Sequence, residues 1–526
     1  MLFTSSAFVL FFVVFWPLYL LVKRHLKPRN LLLLVASYVF YGAWDPRFLI
    51  LVAVSTSIDF VAALGAAGMP VRRAERLRAA AFQAATTLVA LATAQRFEPW
   101  ILPLVAAGIL AFLALGEAFS HLAPGRARVC WLALSLGTNL GILAIFKYAG
   151  FFAANLAALA QSAGIGNAEL VLQITLPVGL SFFTFQAIGR TVDSFRGTFR
   201  PSRSLLDYAA YHAFFPQLVA GPIERAGSLM PQFEQRRRVT LGGVQSGAQL
   251  FLWGLFLKLV VADNLAPIAD AGFSDPASHQ GGIAFAAILA FTVQIYGDFA
   301  GYSLMARGLA RSIGFELTAN FNLPYASRTP SEFWSRWHIS LSGWLRDYLY
   351  IPLGGNRGGV ARTCRNLLLV MLIGGFWHGA AWTFVAWGAL HGLVLVVYRL
   401  LQIDQRLQRN DAATLSGALV HLFAWAVLMA FVMAAWVFFR SRGFEQALAM
   451  FSALASPQGW TWSSFAPVLA PILPLALVEL WQRFARVEDL FARGPFLLRW
   501  SAALATVLAV ASLGAAGGQQ FLYFDF

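Results

Sequence analysis

The sequence predicts an all-α protein that crosses a membrane many times, and three observations carry that prediction. Hydrophobic residues make up 59% of the 526 residues, charged residues only 12%, and the mean hydropathy is +0.66. Apolar runs of bilayer-crossing length recur along the chain. The basic residues behind the formal charge of +15 fall in short clusters between those runs, as loops kept on the inner side of a membrane do. That placement points to a lipid bilayer and away from nucleic acid as the partner of the charge. A helical bundle in lipid grows as one body, so the expectation is a single transmembrane domain over residues 1–526, with its chemistry between Gln294 and Gly392.

Charge read beside apolar length orders the spans. The first covers roughly residues 4–22; Lys23, Arg24, Lys27 and Arg29 follow without a small-residue cleavage site, so it stays as an anchor with the N-terminus outside. Spans near 30–43 and 47–66 lead to the basic loop Val71 to Arg78, and spans near 79–95 and 100–120 lead to Arg126 and Arg128. A span from Trp131 to about Phe152 exits to an outer loop around Gln161 to Glu169. Pro177 and Gly179 interrupt the next segment, which also carries Gln186, Arg190 and Asp193, so it lines protein or a cavity. Tyr208 to Met230 is broken by Pro216, Gly221 and Pro222 and reads as a re-entrant or interfacial segment.

Leu241 to Val261 then spans outward to an acidic outer loop with Asp263, Asp270 and Asp275, and residues 281–300 return. Leu367 to Leu400 holds two tight spans around Gly379; spans near 415–437, 464–482 and 497–514 follow, with Arg483, Arg486 and Arg493 inside. The terminal FLYFDF is expected outside, at the aromatic interface. The total is roughly 11–14 spans. Cys130 and Cys364 lie in or beside basic, inner segments and imply no disulfide.

Polar and aromatic residues crowd together from Gln294 onward. Gln294, Tyr296, Asp298, Tyr302 and Ser303 form either a substrate site or a satisfied polar network between helices. Thr329-Pro330-Ser331-Glu332 fits a capping box that opens a long amphipathic helix to Tyr350. Phe333, Trp334, Trp337, Leu341, Trp344, Leu345 and Tyr348 recur on its apolar face beside Arg336 and Arg346, which suits an interfacial helix on the cytoplasmic side. LGGNRGG beyond it lacks the lysine and the strand of a P-loop and reads as a turn.

His338 adjoins that apolar face, and His378 follows the apolar run from Leu367 to Trp377. An ionisable group at membrane depth faces a cavity or a partner. Desolvation holds an imidazole neutral, and only the neutral ring accepts a proton. His378 therefore reads as a general base, with a structural histidine between helices as the bland alternative. Trp377 and Trp382 shape a tunnel wall or simply pack. His338, His378 and His391 lack ligand spacing and carboxylates, so no metal is expected. Arg336, Arg346 and Arg357 either steer a phosphate-bearing donor or mark the inner face.

The stretches FWSRWHISLSGWLRDYLYIPLGG and GFWHGAAWTFVAWGALHG resemble the membrane-bound O-acyltransferase (MBOAT) family, in the bacterial branch of the alginate O-acetyltransferase membrane subunit. LPVGLSFFTFQAI, FFPQLVAGPIER and QQFLYFDF extend the resemblance over nearly the whole chain; Leu304 and Arg190 depart from the usual pattern. The resemblance implies an MBOAT fold, His378 as the catalytic histidine and His338 as a second. It implies transfer of an acetyl group from a thioester donor, acetyl-CoA or an acyl carrier's phosphopantetheine, with no permanently bound cofactor. The acceptor is an exported polysaccharide, reached directly or through a periplasmic serine-hydrolase-type acetyltransferase, and the site is the bacterial inner membrane. D-alanyl transfer to teichoic acid and a polysaccharide or lipid transporter are the rival readings; a non-catalytic scaffold is a third, disfavoured by the two histidine motifs.

Overall fold

A computed structural model of the chain describes residues 1–96, 98–164, 174–219, 221–408, 414–485, 496–515, 519 and 521–522. The described secondary structure is helical throughout, with no strand. Nine helices among the described residues are long and apolar enough to cross a membrane, and Ser6–Val22 and Trp500–Leu513 are shorter apolar helices. Their outer faces leave large apolar side chains such as Leu10, Leu21, Phe152 and Leu477 open to the surroundings. The chain is a multi-pass membrane protein. The outer loop expected around Gln161 to Glu169 lies largely outside the described residues, as do Arg486, Arg493 and residues 523–526.

Chain contacts divide the molecule into two compact units. The first comprises Met1–Val244 and Ala310–Leu317. Its axis is helix Leu49–Ala66, packed against Arg73–Thr93, Pro124–Leu143 and Leu180–Arg196 and buried along nearly its whole length. Polar side chains inside a lipid-facing bundle need partners, and here they have them. The Asp59 carboxylate accepts from Ser55 Oγ at 2.9 Å, from Asn139 Nδ2 at 2.8 and 3.0 Å, and from Ser135 Oγ. Arg190 Nη1 donates to the Asp59 carbonyl at 2.9 Å, and its guanidinium lies over the Tyr208 ring. The segment broken at Gly179 thus turns its polar groups into protein.

Between Leu205 and Glu234 the chain forms helices of four to nine residues, Leu205–His212, Phe215–Leu218 and Ala226–Glu234. None is long enough to cross, and Tyr208, Tyr211 and Phe214 are fully buried. Arg29 holds this segment in place by donating to the carbonyls of Gln232, Phe233 and Gln235 at 2.9–3.2 Å. The segment therefore does not span, as the expectation of a re-entrant or interfacial segment has it.

The second unit comprises Gln245–Leu309 and Thr318–Phe526. Two sequence expectations need correction here. The acidic loop after Val261 is helical: Leu241–Phe256 runs through a wide π-type turn, Leu257–Ala262, into Asp263–Ser274. Asp263 is buried against Lys258 rather than solvated. The long helix from Thr329 to Tyr350 is broken into Pro330–Arg336, Ile339–Leu345 and a π-type turn, Arg346–Tyr350. Its start is as expected: Thr329 Oγ1 accepts from Glu332 N, while Glu332 Oε2 reaches back to Arg328 N, one residue beyond the capping-box position.

Helices Gly359–His378 and Trp382–Leu400 form a hairpin over a link at Gly379. Their backbones meet where Gly375 faces Gly388: a Cβ on Gly388 would stand 2.4 Å from the Met371 carbonyl oxygen, and one on Gly375 2.3 Å from that of Phe384. Small residues permit this approach, as in other membrane helix pairs. It fixes the height of His378, the last residue of the first helix. LGGNRGG is a turn, held by Asn366 Nδ2 donating to the carbonyls of Leu353 and Gly355.

Candidate active site

His338 sits at the break in the amphipathic segment. Its backbone is left-handed, φ 43° and ψ 54°, which costs a non-glycine residue roughly 1–2 kcal/mol. The surroundings hold it there. Ile339 N donates to the Asn320 carbonyl at 2.9 Å, and Asn322 N accepts the helix into the loop by donating to the Arg336 carbonyl at 3.0 Å. Asn320 also bonds through its side chain, donating to Ser303 Oγ at 3.1 Å and accepting from Ser340 Oγ at 2.6 Å. The break sends both Trp337 and His338 inward, each 0% exposed. Trp337 packs on Phe321, Phe333 and Trp436, so it belongs to the core and not to an interfacial face.

His378 arrives from the helix hairpin, 3% exposed. Its ring centroid is 6.4 Å from that of His338. Trp377 at 5.0 Å, Trp387 at 5.1 Å and Phe439 at 5.4 Å wall it edge-on. Two rings meet His338 edge-on, Phe299 at 4.6 Å and Trp377 at 6.2 Å. Two histidines 40 residues apart in sequence thus face one another inside an aromatic shell. Burial pushes the His338 imidazole down to about 3, so the ring is neutral across the physiological range.

A cavity of about 420 Å³ lies against the segment that carries His338. Ile339 and Asn320 are in its wall, together with Tyr296, Arg307, Arg336, Glu479 and Arg483. Tyr296 Oη donates to Glu479 Oε1 at 2.5 Å. Arg336 donates to Glu332 Oε1 at 2.9 Å and to the Asn322 carbonyl at 3.2 Å. The cavity wall is therefore half polar and rich in guanidinium, the group best suited to phosphate oxygens.

Of the residues singled out from sequence, His338, His378 and Trp377 come together, and Tyr296 and Arg336 line the cavity beside them. Gln294, Asp298 and Tyr302 are buried on the same helix, Gly281–Ser312, outside that wall. Trp382 heads its helix and is 56% exposed; Trp387, further along, is the tryptophan that touches His378. Sequence reasoning missed Trp387, Phe439, Phe299 and Asn320. The helical spacing of Trp387 from His391 was visible in the sequence, but nothing local marked the other three. His391 is buried among Trp334, Trp387 and Phe431.

Comparison with known proteins decides the family. Residues 194–437 match the MBOAT, membrane-bound O-acyltransferase family. The chain is 39% identical over 485 residues to the probable alginate O-acetylase AlgI of Azotobacter vinelandii, covering 91% of this chain and 83% of that one. The chain belongs to the membrane-bound O-acyltransferase family. The Pseudomonas putida probable alginate O-acetylase AlgI is 36% identical over the full length of both chains. A peptidoglycan O-acetyltransferase of Helicobacter pylori is 37% identical over 362 residues, 64% of this chain and 66% of that one. As an acyltransferase of this family, the protein needs a proton acceptor for a hydroxyl and a seat for an activated acyl donor.

Proposed function

We propose that this acyltransferase moves an acetyl group from a cytoplasmic thioester to an acceptor outside the cell, an exported polysaccharide or a periplasmic serine-hydrolase-type protein that relays it. The carrying observation is the pair of buried imidazoles 6.4 Å apart in an aromatic shell. His378 takes the proton of the accepting hydroxyl as its oxygen attacks the acetyl carbonyl. The carbon–sulfur bond then breaks, and the thiolate leaves with the proton that His378 returns. General base catalysis of this kind supplies about 100- to 10,000-fold. His338, neutral, hydrogen-bonds the carbonyl oxygen as charge develops on it.

The donor enters through the cavity, where Arg307, Arg336 and Arg483 meet the phosphate of coenzyme A or of a carrier's phosphopantetheine. The clustering of basic residues in loops between the apolar runs supports a cytoplasmic basic face, consistent with an inner-membrane protein with both ends outside. The relatives, an alginate O-acetylase and a peptidoglycan O-acetyltransferase, support acetyl as the group and polysaccharide as the class of acceptor.

The test is polymer-linked O-acetyl content in cells carrying wild type, His378→Ala or His338→Ala at matched membrane levels. Loss of acetyl ester with normal polymer export supports the reading. Normal acetylation with defective export replaces it with transport. A purified chain that acetylates free polymer unaided removes the relay.

A further inference from the structure

The second unit holds three charged side chains that no step of the transfer uses. Lys258 lies in the π-type turn Leu257–Ala262, with its Nζ 2.8 Å from Asp263 Oδ1 and 2.8 Å from Asp298 Oδ1. All three side chains are at most 4% exposed. One ammonium facing two carboxylates leaves an excess of buried negative charge, unfavourable unless other donors reach it. Those donors come from far along the chain. Leu522 N donates to Asp298 Oδ2 at 2.6 Å and Gln519 N to Asp263 Oδ2 at 3.3 Å. Two further ties run beside the same turn: Asn264 Nδ2 donates to the Leu513 carbonyl at 2.8 Å, and Ala515 N to that of Leu259 at 3.1 Å.

Docked in this way, the stretch inserts Phe521, 1% exposed, with its ring 4.8 Å from Tyr302 and 6.0 Å from Phe299. Phe299 is the ring that meets His338 edge-on at 4.6 Å. His338 is held in a left-handed backbone conformation that its own sequence does not favour. Such a conformation persists only where the packing around it is complete, and Phe521 packs against the ring that meets it.

We propose that the stretch bearing Gln519, Phe521 and Leu522 is a positioning element for His338, latched by the Lys258–Asp263–Asp298 triad and acting through Phe299. The triad serves to hold the backbone that presents Phe521. This inference rests on the part given to His338 in the reading above.

The experiment compares full-length wild type, Phe521→Ala, Phe521→Tyr and Asp298→Asn. It reads backbone hydrogen exchange at residues 337–340, and kcat against KM for transfer from acetyl-CoA in membranes supplemented with the acceptor system. Phe521→Ala is expected to raise exchange at Ile339 about tenfold and lower kcat roughly 10- to 100-fold at unchanged KM. Asp298→Asn, which keeps the shape and removes a charge, is expected to act in the same direction. Phe521→Tyr retains the ring and is expected to restore both readings to within about twofold. Wild-type exchange and wild-type kcat in Phe521→Ala overturn the proposal. So does an equal rise of exchange along the whole chain, which is loss of fold and not of position. If His338→Ala itself transfers normally, the function assigned to His338 fails, while the exchange reading still decides whether the stretch positions it.

Discussion

Asp59 in the first unit and His378 in the second are both ionisable side chains closed off from the surroundings, 0% and 3% exposed, yet their neighbours differ in kind. Asp59 is met by hydroxyl and amide donors from Ser55, Ser135 and Asn139, and Arg190 ties its backbone. A carboxylate so completely matched joins helices that lipid alone would not drive together. His378 is met by the edges of Trp377, Trp387 and Phe439 and by a second imidazole. Those rings exclude water from around the imidazole. On the proposed function, burial of a polar group serves structure at Asp59 and reactivity at His378.

That contrast can be broken at several points. His378→Ala is expected to reduce acetyl transfer about 100- to 10,000-fold while the protein keeps wild-type abundance and melting temperature. Transfer assayed at matched protein level checks it. Asp59→Ala is expected to do the reverse, destabilising the fold by about 3–5 kcal/mol because it leaves buried donors without their acceptor. Thermal melting in detergent reads that loss, and activity per folded molecule should hold. A similar transfer defect in both variants, with both stable, would erase the distinction.

Gly388→Ala is expected to cost about 1–3 kcal/mol, because its Cβ would meet the Met371 carbonyl at 2.4 Å and spread the hairpin that sets the height of His378. Melting and transfer should fall together. A last effect concerns pH. His338 titrates near 6.5 when unfolded and at about 3 in the folded protein because burial disfavours its charged form. The unfolded chain thus binds the extra proton, so stability is full above pH 6.5 and declines as pH falls toward 3. His338→Gln should flatten that part of the melting-temperature profile.

What the sequence showed was what local chemistry decides. The helix start at Thr329 and the bend at Gly379 follow from a cap and a glycine, whose effects reach only a few residues. The pairing of His338 with His378 followed from family resemblance and not from spacing. The break at His338 was hidden because it depends on the carbonyl of Asn320, which lies in another segment, and helical periodicity through Trp337 continues past it without interruption. Lys258 was passed over and Asp263 was assigned to a loop for the same reason: a buried ion pair is recognised only once its partners from Asp298 and the Leu522 backbone are in place. Trp382 and Trp387 are equally aromatic on paper, and only packing decides which of them faces the histidine.

The most direct measurement is acetyl transfer from acetyl-CoA by purified wild type and His378→Gln in proteoliposomes with the acceptor system added, alongside donor affinity by calorimetry. The account predicts that His378→Gln binds the donor within about twofold of wild type and transfers at least about 100-fold more slowly. Transfer at the wild-type rate by His378→Gln, with donor bound equally well, would contradict it.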